Sequence, residues 1–174
     1  MADAAILIEP LIPALRRYAA VLVRPRAAAD DLVQDTLERA LSRWHQRRPE
    51  GDTRAWLFTI LHSLAINRLR QTARRGPHLA LDTVEPDRLT HPPRQEEGMA
   101  YADILHAVES LPPDYRAVLL LVSVEGLSYA EVSAVLGIPL GTVMSRLSRA
   151  RDRLSEIMRV GQGSAVIPLR RVQS

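Results

Sequence analysis

Serine and arginine side chains recur at helical spacing near the carboxyl end of the sequence, and their chemistry suits nucleic-acid binding. Arginine forks onto guanine or phosphate oxygens, while serine hydroxyls bond to base edges less discriminately. On a helix, Ser145, Ser148 and Arg149 lie opposite an apolar stripe, which is made of Val143, Leu147, Ala150 and Leu154. This segment contains five arginines and only two acids. The arginines are Arg146, Arg149, Arg151, Arg153 and Arg159, and the acids are Asp152 and Glu156. An ordinary solvated helix face does not explain this excess, so the pattern favours DNA binding.

Two signals upstream of this segment would position it. Ser128 and Glu131 form a capping box, in which each side chain satisfies a free backbone N–H at a helix start. Gly137, Pro139 and Gly141 then break the chain over five residues before the arginine-bearing helix begins. Two short helices joined by a tight glycine-containing turn are typical of a helix-turn-helix.

The composition excludes several classes of protein. All 23 basic residues among the 174 are arginine, and the formal net charge is +3. The chain has no cysteine, which excludes disulfides, thiolate metal sites and a cysteine nucleophile. No apolar run approaches the roughly 18 residues of a membrane span, and the amino terminus has no signal-peptide pattern. We therefore expect a soluble, cytoplasmic protein without membrane insertion.

Patterns of catalysis are also missing from the sequence. The five histidines are scattered without metal-ligand spacing, and no Ser-His-Asp set, phosphate loop or carboxylate pair is apparent. We expect no enzyme activity, no metal and no cofactor. Trp44 and Trp56 could stack on bases, but each lies on an apolar face, which favours packing in the core.

A polar face distinguishes one helix in the first half of the chain. This helix is expected to be capped by Asp30 or Asp31. Its apolar side would bury Val33, Leu37, Ala40, Leu41 and Trp44. Its other side carries acidic and amide groups: Asp31, Gln34, Asp35 and Glu38. The pattern predicts an amphipathic helix with an acidic, amide-bearing surface.

A long helix with a basic stripe follows a loop at residues 47–52. Asp52 or Thr53 would cap this helix, which is predicted to end near Arg75. Polar and basic residues recur along it at i, i+4, i+7 and i+11: Ser63, Asn67, Arg70 and Arg74. The stripe is a second candidate surface for nucleic acid.

The chain divides by composition into two helical bundles, and the predicted fold is all-α. Residues 1–75 would form the first bundle and residues 99–160 the second, which contains the helix-turn-helix. Residues 76–98 hold four prolines and five acids against two arginines, which predicts a flexible acidic linker. We expect the two bundles to move independently in the free protein. Residues 161–174 form a tail without an assigned role.

Parts of both halves resemble a known family. The stretch LPPDYRAVLLLVSVEGLSYAEVSAVLGIPLGTVMSRLSRARDRL resembles domain four of the extracytoplasmic-function (ECF) RNA polymerase sigma factors of bacteria. DDLVQDTLERAL and TRAWLFTILHSLAINRLRQ resemble domain two of the same family. Many regulators have a helix-turn-helix, whereas its combination with the domain-two pattern at this linker spacing is specific.

This resemblance implies a sigma factor that directs core RNA polymerase to specific promoters and helps to open them. Residues that would dock on the clamp helices of the largest polymerase subunit are Asp31, Gln34, Asp35 and Glu38. Residues that would meet the −10 promoter element are Arg47, Arg48, Gly51, Asp52, Thr53, Ser63, Asn67, Arg70 and Arg74. Residues that would meet the −35 element are Thr142, Met144, Ser145, Arg146, Ser148, Arg149 and Arg151. An anti-sigma factor is an expected partner.

Two alternative functions remain open at this point. A conventional helix-turn-helix regulator would use its first half for a ligand or a dimer, which the acidic face and the basic stripe argue against. A sigma-mimicking module that sequesters an anti-sigma factor would keep the fold without needing a basic recognition helix. Arg146, Arg149 and Arg151 argue against the second alternative without deciding it.

Overall fold

The computed structural model describes residues 2–48, 50–75, 104 and 106–163, and within them every regular element is a helix. The predicted all-α fold class is therefore confirmed. The predicted linker at 76–98 lies outside the described residues, as do residues 164–174 of the predicted tail. The assigned limits of the two domains stay predictions.

Four helices make the first bundle. Its elements are α1 (Ala2–Ile8), a 3-10 turn (Glu9–Leu11), α2 (Ile12–Leu22), α3 (Arg26–Ser42), a second 3-10 turn (Trp44–Gln46) and α4 (Thr53–Arg75). Pro13 lies in the first turn of α2, where its missing N–H leaves no hydrogen bond unmade. The largest buried side chains of this bundle are Leu15, Tyr18, Leu32, Leu57, Phe58 and Leu61. They come from α2, α3 and α4, so these three helices share one core.

The start of α3 and the exposure of Leu41 near its end differ from the prediction. Neither Asp30 nor Asp31 caps this helix, which begins at Arg26 with the extended residue Pro25 at its N-cap position. The alanines at 27–29 favour helix and extend it upstream of the two acids, so both aspartates lie inside α3 and add to its polar face. Leu41 was expected on the buried side, but it is exposed because it lies in the last turn, at the edge of the apolar stripe.

The second bundle contains the predicted helix-turn-helix. Its described elements are a helical segment at residues 106–109, α5 (Pro113–Ser123), α6 (Tyr129–Leu136) and α7 (Leu140–Gly163). α5 supplies Val118 and Leu121 to the core, and α7 supplies Val143 and Leu147. Because α7 reaches Gly163, it extends three residues beyond the predicted limit of this bundle at residue 160.

Local signals define the turn between α6 and α7. The Ser128 backbone N–H donates to the Glu131 carboxylate at 2.7 Å, and the Glu131 N–H donates to the Ser128 hydroxyl at 3.3 Å, which confirms the capping box. Gly137 has a φ of 65°, a left-handed conformation that ends α6 and that glycine adopts without strain. Gly141 was expected to help break the chain, but it lies in the first turn of α7 because that helix begins at Leu140.

The two bundles pack against each other, although the composition of the linker had predicted that they move independently. α2 contacts α5, and α4 contacts α6. Glu125, in the loop after α5, is buried and pairs with two arginines of the first bundle. The Arg17 guanidinium donates to both carboxylate oxygens at 3.2 Å, and Arg54 donates at 2.6 Å. Arg24 and Glu109 form a further ion pair across the interface.

A polar pair lies inside the first bundle, close to the second one. The Tyr18 hydroxyl and the His62 Nδ1 are 3.1 Å apart, and the two rings stack. Burial lowers the pKa of His62, and the negative charge of Asp114 on α5 opposes this effect. Burial raises the pKa of Tyr18, so its hydroxyl keeps its proton. His62 is therefore held mainly in its neutral form.

Candidate functional site

The outward face of α7 carries most of the residues predicted to read DNA. Val143, Leu147 and Ala150 are buried against the bundle, which fixes the rotation of the helix about its axis. Thr142 and Arg146 are partly buried. The remaining predicted side chains are exposed: Met144, Ser145, Ser148, Arg149 and Arg151. They form one surface because α7 is continuous from Leu140 onward.

The two flanks of α7 have different surroundings. On one flank Arg146 pairs with Asp114 at 2.9 Å, and the guanidinium of Arg153 lies 5.5 Å from the centre of the Tyr115 ring. Both arginines thus fasten α7 to α5. On the other flank, Arg151 is exposed, and no ion pair to it is found among the described residues. Arg146 therefore has to leave Asp114 before it can bind a phosphate, whereas Arg151 already faces solvent.

The capping box also keeps Glu131 charged, close to Arg54 of the first bundle. Hydrogen bonds from the Ser128 hydroxyl and backbone N–H lower the pKa of Glu131, and the positive charge of Arg54 adds to this effect. Glu131 therefore stays ionised at neutral pH. Its carboxylate fixes the start of α6, on which α7 and the predicted recognition surface depend.

The acidic face of α3 is exposed as predicted. Its polar members all lie on the solvent side of the helix: Asp31, Gln34, Asp35 and Glu38. The Gln34 amide donates to Glu38 at 3.1 Å, and Arg68 of α4 donates to Asp35 at 2.5 Å. Asp35 thus joins α3 to α4 as well as facing outward, whereas Asp31 has no such bond among the described contacts.

The basic stripe of α4 also faces solvent. Ser63, Asn67, Arg70 and Arg74 are all exposed. At the start of the helix, the Asp52 carboxylate accepts a hydrogen bond from the Arg54 N–H at 2.7 Å, so Asp52 caps α4. The helix is continuous from this cap onward and presents the stripe on one side.

The loop before α4 folds around two tryptophans. Trp44 and Trp56 meet edge to face with ring centres 6.0 Å apart, and both rings are half-buried against the core. The preference for core packing is therefore confirmed. Arg47 lies over the Trp44 ring at 4.8 Å and donates to the Gly51 carbonyl at 3.3 Å. These contacts tie Arg47 to Trp44 and Gly51 and leave Arg48 exposed.

Glu125 is the residue of consequence that the sequence patterns did not reveal. The available signal was a single acid within the apolar stretch from Val122 to Leu127, where an unpaired charge would be costly. Its partners, Arg17 and Arg54, are 108 and 71 residues away along the chain. Periodicity could not identify them.

Neither a metal site nor a membrane-spanning helix is found in the described part of the chain. Among its residues, no group of three or more histidines and carboxylates is arranged to hold a metal ion. None of its helices combines the length and the apolar character that a membrane span requires.

Comparison with protein families gives two matches that divide the chain. Residues 8–62 match the model described as the Sigma2 domain of PhyR, and residues 95–154 match the model described as Sigma-70, region 4. The first match contains the acidic face of α3 and the start of α4. The second contains the helix-turn-helix.

Curated relatives are similar over most of the chain. The ECF RNA polymerase sigma factor EcfG of Rhodopseudomonas palustris is 37% identical over 149 residues, which are 86% of this chain and 81% of that protein. The ECF RNA polymerase sigma-E factor of Escherichia coli is 30% identical, over 75% of this chain and 73% of that protein.

Solved structures share the fold. The sigma factor RpoE of Bartonella quintana, in complex with the anti-sigma factor NepR, superposes with a TM-score of 0.79 at 32% identity, over 92% of this chain and 99% of that one. CnrH in complex with the cytosolic domain of CnrY gives a TM-score of 0.64 at 26% identity, over 90% and 88% of the two chains. The PhyRSL–NepR complex from Sphingomonas is similar in fold at 19% identity.

Proposed function

Because the chain belongs to the ECF family of RNA polymerase sigma factors, we propose that its two bundles divide promoter recognition between them. As a member of this family, it directs core polymerase to specific promoters and helps to open them. The observation that carries the division of labour is that each bundle presents its own exposed polar helix face, backed by a buried apolar one.

The first bundle is assigned to polymerase and to the −10 element. Asp31, with the polar residues that follow it on α3, supplies a negatively charged surface for the clamp helices. The exposed stripe of α4, which ends in Arg70 and Arg74, supplies positive charge for the DNA backbone. The contacts of Arg47 with the Trp44 ring and the Gly51 carbonyl lie in the segment before α4, and we assign to this region the base that leaves the stack.

The second bundle is assigned to the −35 element. α7 is long, packs against the capped helix α6 and is exposed on the side that carries Ser145 and Arg149. A recognition helix reads bases from its amino-terminal half, and arginine pairs with two acceptors of guanine in the major groove. Arg151 lies on the flank, where it meets phosphate and adds affinity without sequence information.

Regulation by an anti-sigma factor is the third part of the proposal. RpoE and CnrH, which are similar to this chain, are named in complexes with NepR and with CnrY, respectively. A comparable partner would bind this chain in the cytoplasm, where core polymerase and promoter DNA are found. The protein would act there by binding alone, with no catalytic activity of its own.

A specific observation supports one alternative. The model matched by residues 8–62 comes from PhyR, which another structure names as an anti-anti-sigma factor in complex with NepR. A mimic of this kind binds the anti-sigma protein without binding promoters. The exposed Arg149 and Arg151 favour the sigma-factor assignment, because a mimic has no need of a basic recognition helix.

Two arginine variants test the placement of α7. Arg149→Ala should weaken promoter binding by the holoenzyme and relax selectivity at one −35 position, since a bidentate guanine contact contributes about 1–3 kcal/mol of discrimination. Arg151→Ala should weaken binding to all sequences alike and lower the salt dependence by about one ion. Each variant is titrated against a −35 substitution series at two salt concentrations. A uniform loss for Arg149→Ala, with base preferences unchanged, would show that this helix face is placed wrongly.

A further inference from the structure

Large apolar side chains are exposed around the start of α7. Tyr129 at the beginning of α6 is 38% exposed, Leu140 is 48% exposed and Met144 is 52% exposed. Leu140 and Met144 are four residues apart and so lie on the same side of the helix. Exposed apolar groups that cluster beside a binding surface usually mark a contact with a partner.

Tyr129 and Met144 line one cleft between α6 and α7. The cleft has a volume of about 210 Å³, and the remaining residues of its lining are Leu147, Ser148, Arg151 and Asp152. Its floor is apolar, because Leu147 is buried in the core. Its lining also includes one exposed cation and one exposed acid, Arg151 and Asp152. The apolar floor therefore describes the occupant best: it has a small apolar group, and any negative charge next to that group lies on the Arg151 side.

A DNA duplex meets this description at one kind of base. In the major groove the four base pairs present hydrogen-bonding atoms, and the C5-methyl group of thymine is the one apolar group among them. Phosphates follow along the edge of the same groove, within reach of a flanking arginine. Met144 is one residue before Ser145 and four before Ser148, so its thioether enters the groove together with the proposed base-reading side chains.

We propose that Met144, supported by Tyr129, contacts the C5-methyl group of one thymine in the −35 element and so selects a T·A pair there. The inference rests on the proposed function, because it requires α7 to enter the major groove. Met144 recognises this base by shape and apolar contact, in addition to the bases that the serines and Arg149 recognise by hydrogen bonds. Arg151 at the rim of the cleft then binds the neighbouring phosphate.

The test removes the methyl group and nothing else. Once the preferred −35 sequence is known from the substitution series, each thymine of both strands is replaced in turn by deoxyuridine. The holoenzyme, made from the full chain and core polymerase, is titrated with each duplex. Burial of one methyl group predicts about a fourfold loss of affinity at one position and little change at the others.

Variants assign the effect to the cleft. Met144→Ala should bring the thymine-to-deoxyuridine affinity ratio at that position close to one, while Met144→Leu should keep most of it. Ser145→Ala is the matched control on the same helix turn: it should weaken binding but leave the ratio unchanged. The ratio is insensitive to a general loss of folding or affinity, because both duplexes are measured with the same protein.

Other outcomes would overturn the proposal. If no deoxyuridine duplex binds more weakly while −35 selectivity persists, the methyl contact does not exist, although the proposed function stands. If Met144→Ala binds both duplexes equally weakly but the wild-type ratio is also one, Met144 contacts another part of the DNA. If the ratio is one and Met144→Ala instead loses binding to an anti-sigma protein, the cleft belongs to that partner. Absence of all −35 selectivity in the wild type would contradict the proposed function itself.

Discussion

The Glu125 cluster, which consists of Glu125, Arg17 and Arg54, predicts that the free protein is held in a closed arrangement which must open on a promoter. The −10 and −35 elements are about 25 base pairs apart, which is about 85 Å along B-DNA. A compact chain of 174 residues has a radius of gyration of about 16 Å, so packed bundles cannot reach both elements. Engaging both elements therefore separates Glu125 from Arg17 and Arg54.

The contribution of the cluster follows from its geometry and its exposure. The Glu125 side chain is 2% exposed, whereas those of Arg17 and Arg54 are 55% and 35% exposed. Hydrogen bonds to charged groups contribute about 1.5–3 kcal/mol each, and exposed ion pairs at most about 1 kcal/mol. Since solvent screens both arginines and Glu125 loses its hydration, we take about 1.5 kcal/mol for the cluster, or about tenfold in the closed-to-open ratio.

Glu125→Gln preserves the size of the side chain and removes its charge. The concentration of protein that gives half-maximal transcript with limiting core polymerase should fall about tenfold, because a larger fraction of the free protein is open. Glu156→Gln is the matched control, since Glu156 is exposed on α7 and no ion pair between it and the first bundle is found among the described residues. The chain has no cysteine, so Ser42→Cys and Ser155→Cys provide two unique labelling sites for a distance measurement by energy transfer.

Two results would refute this reasoning. One is a distribution of label distances in Glu125→Gln that equals those of the wild type and of Glu156→Gln. The other is an extended wild-type protein, which would show that the cluster does not hold the bundles together and that they move independently, as the linker composition suggested.

Two more predictions concern other parts of the molecule. Asp31→Arg should abolish binding to core polymerase while the helical circular dichroism stays unchanged. Asp3→Arg, the same change on α1, should leave binding intact. Normal affinity of the Asp31→Arg variant would show that α3 is not part of the docking surface. Burial lowers the pKa of His62 in the folded protein, so protonation of this residue favours the unfolded chain. The contribution of neutral His62 to stability is fully present above the usual pKa of about 6.5. It is lost as the pH falls through the lower pKa of the folded state. The melting temperature should therefore drop more steeply on acidification in the wild type than in His62→Gln, which keeps a hydrogen-bonding group for Tyr18, and equal slopes would contradict this.

The sequence predicted those features that depend on neighbouring residues. The capping box at Ser128 and the break at Gly137 are local, so the residue types at these positions are sufficient to indicate both. The exposure of the α3 and α4 polar faces followed from helical periodicity, because each apolar stripe has to face a core. The start of α3 was placed too late, since the acids at 30 and 31 resemble caps as strongly as they resemble interior polar residues.

The contact between the bundles could not be predicted from such patterns. Periodicity shows which face of a helix is buried but not which helix covers it. Glu125 gains its partners only through the relative orientation of two bundles that are distant in sequence. The pairing of Arg146 with Asp114 was missed for the same reason: helical phase placed Arg146 on a flank, but the position of α5 decides what that flank meets.

The most direct test of the central claim is transcription in vitro with purified components. Core polymerase without any other sigma factor is combined with this protein and with a library of genomic fragments, and the 5′ ends of the transcripts are mapped. We expect discrete start sites that depend on the protein, share −10 and −35 sequences, and disappear with Asp31→Arg. No defined start sites, from a protein that nevertheless binds an anti-sigma factor, would contradict the assignment and identify the chain as a mimic.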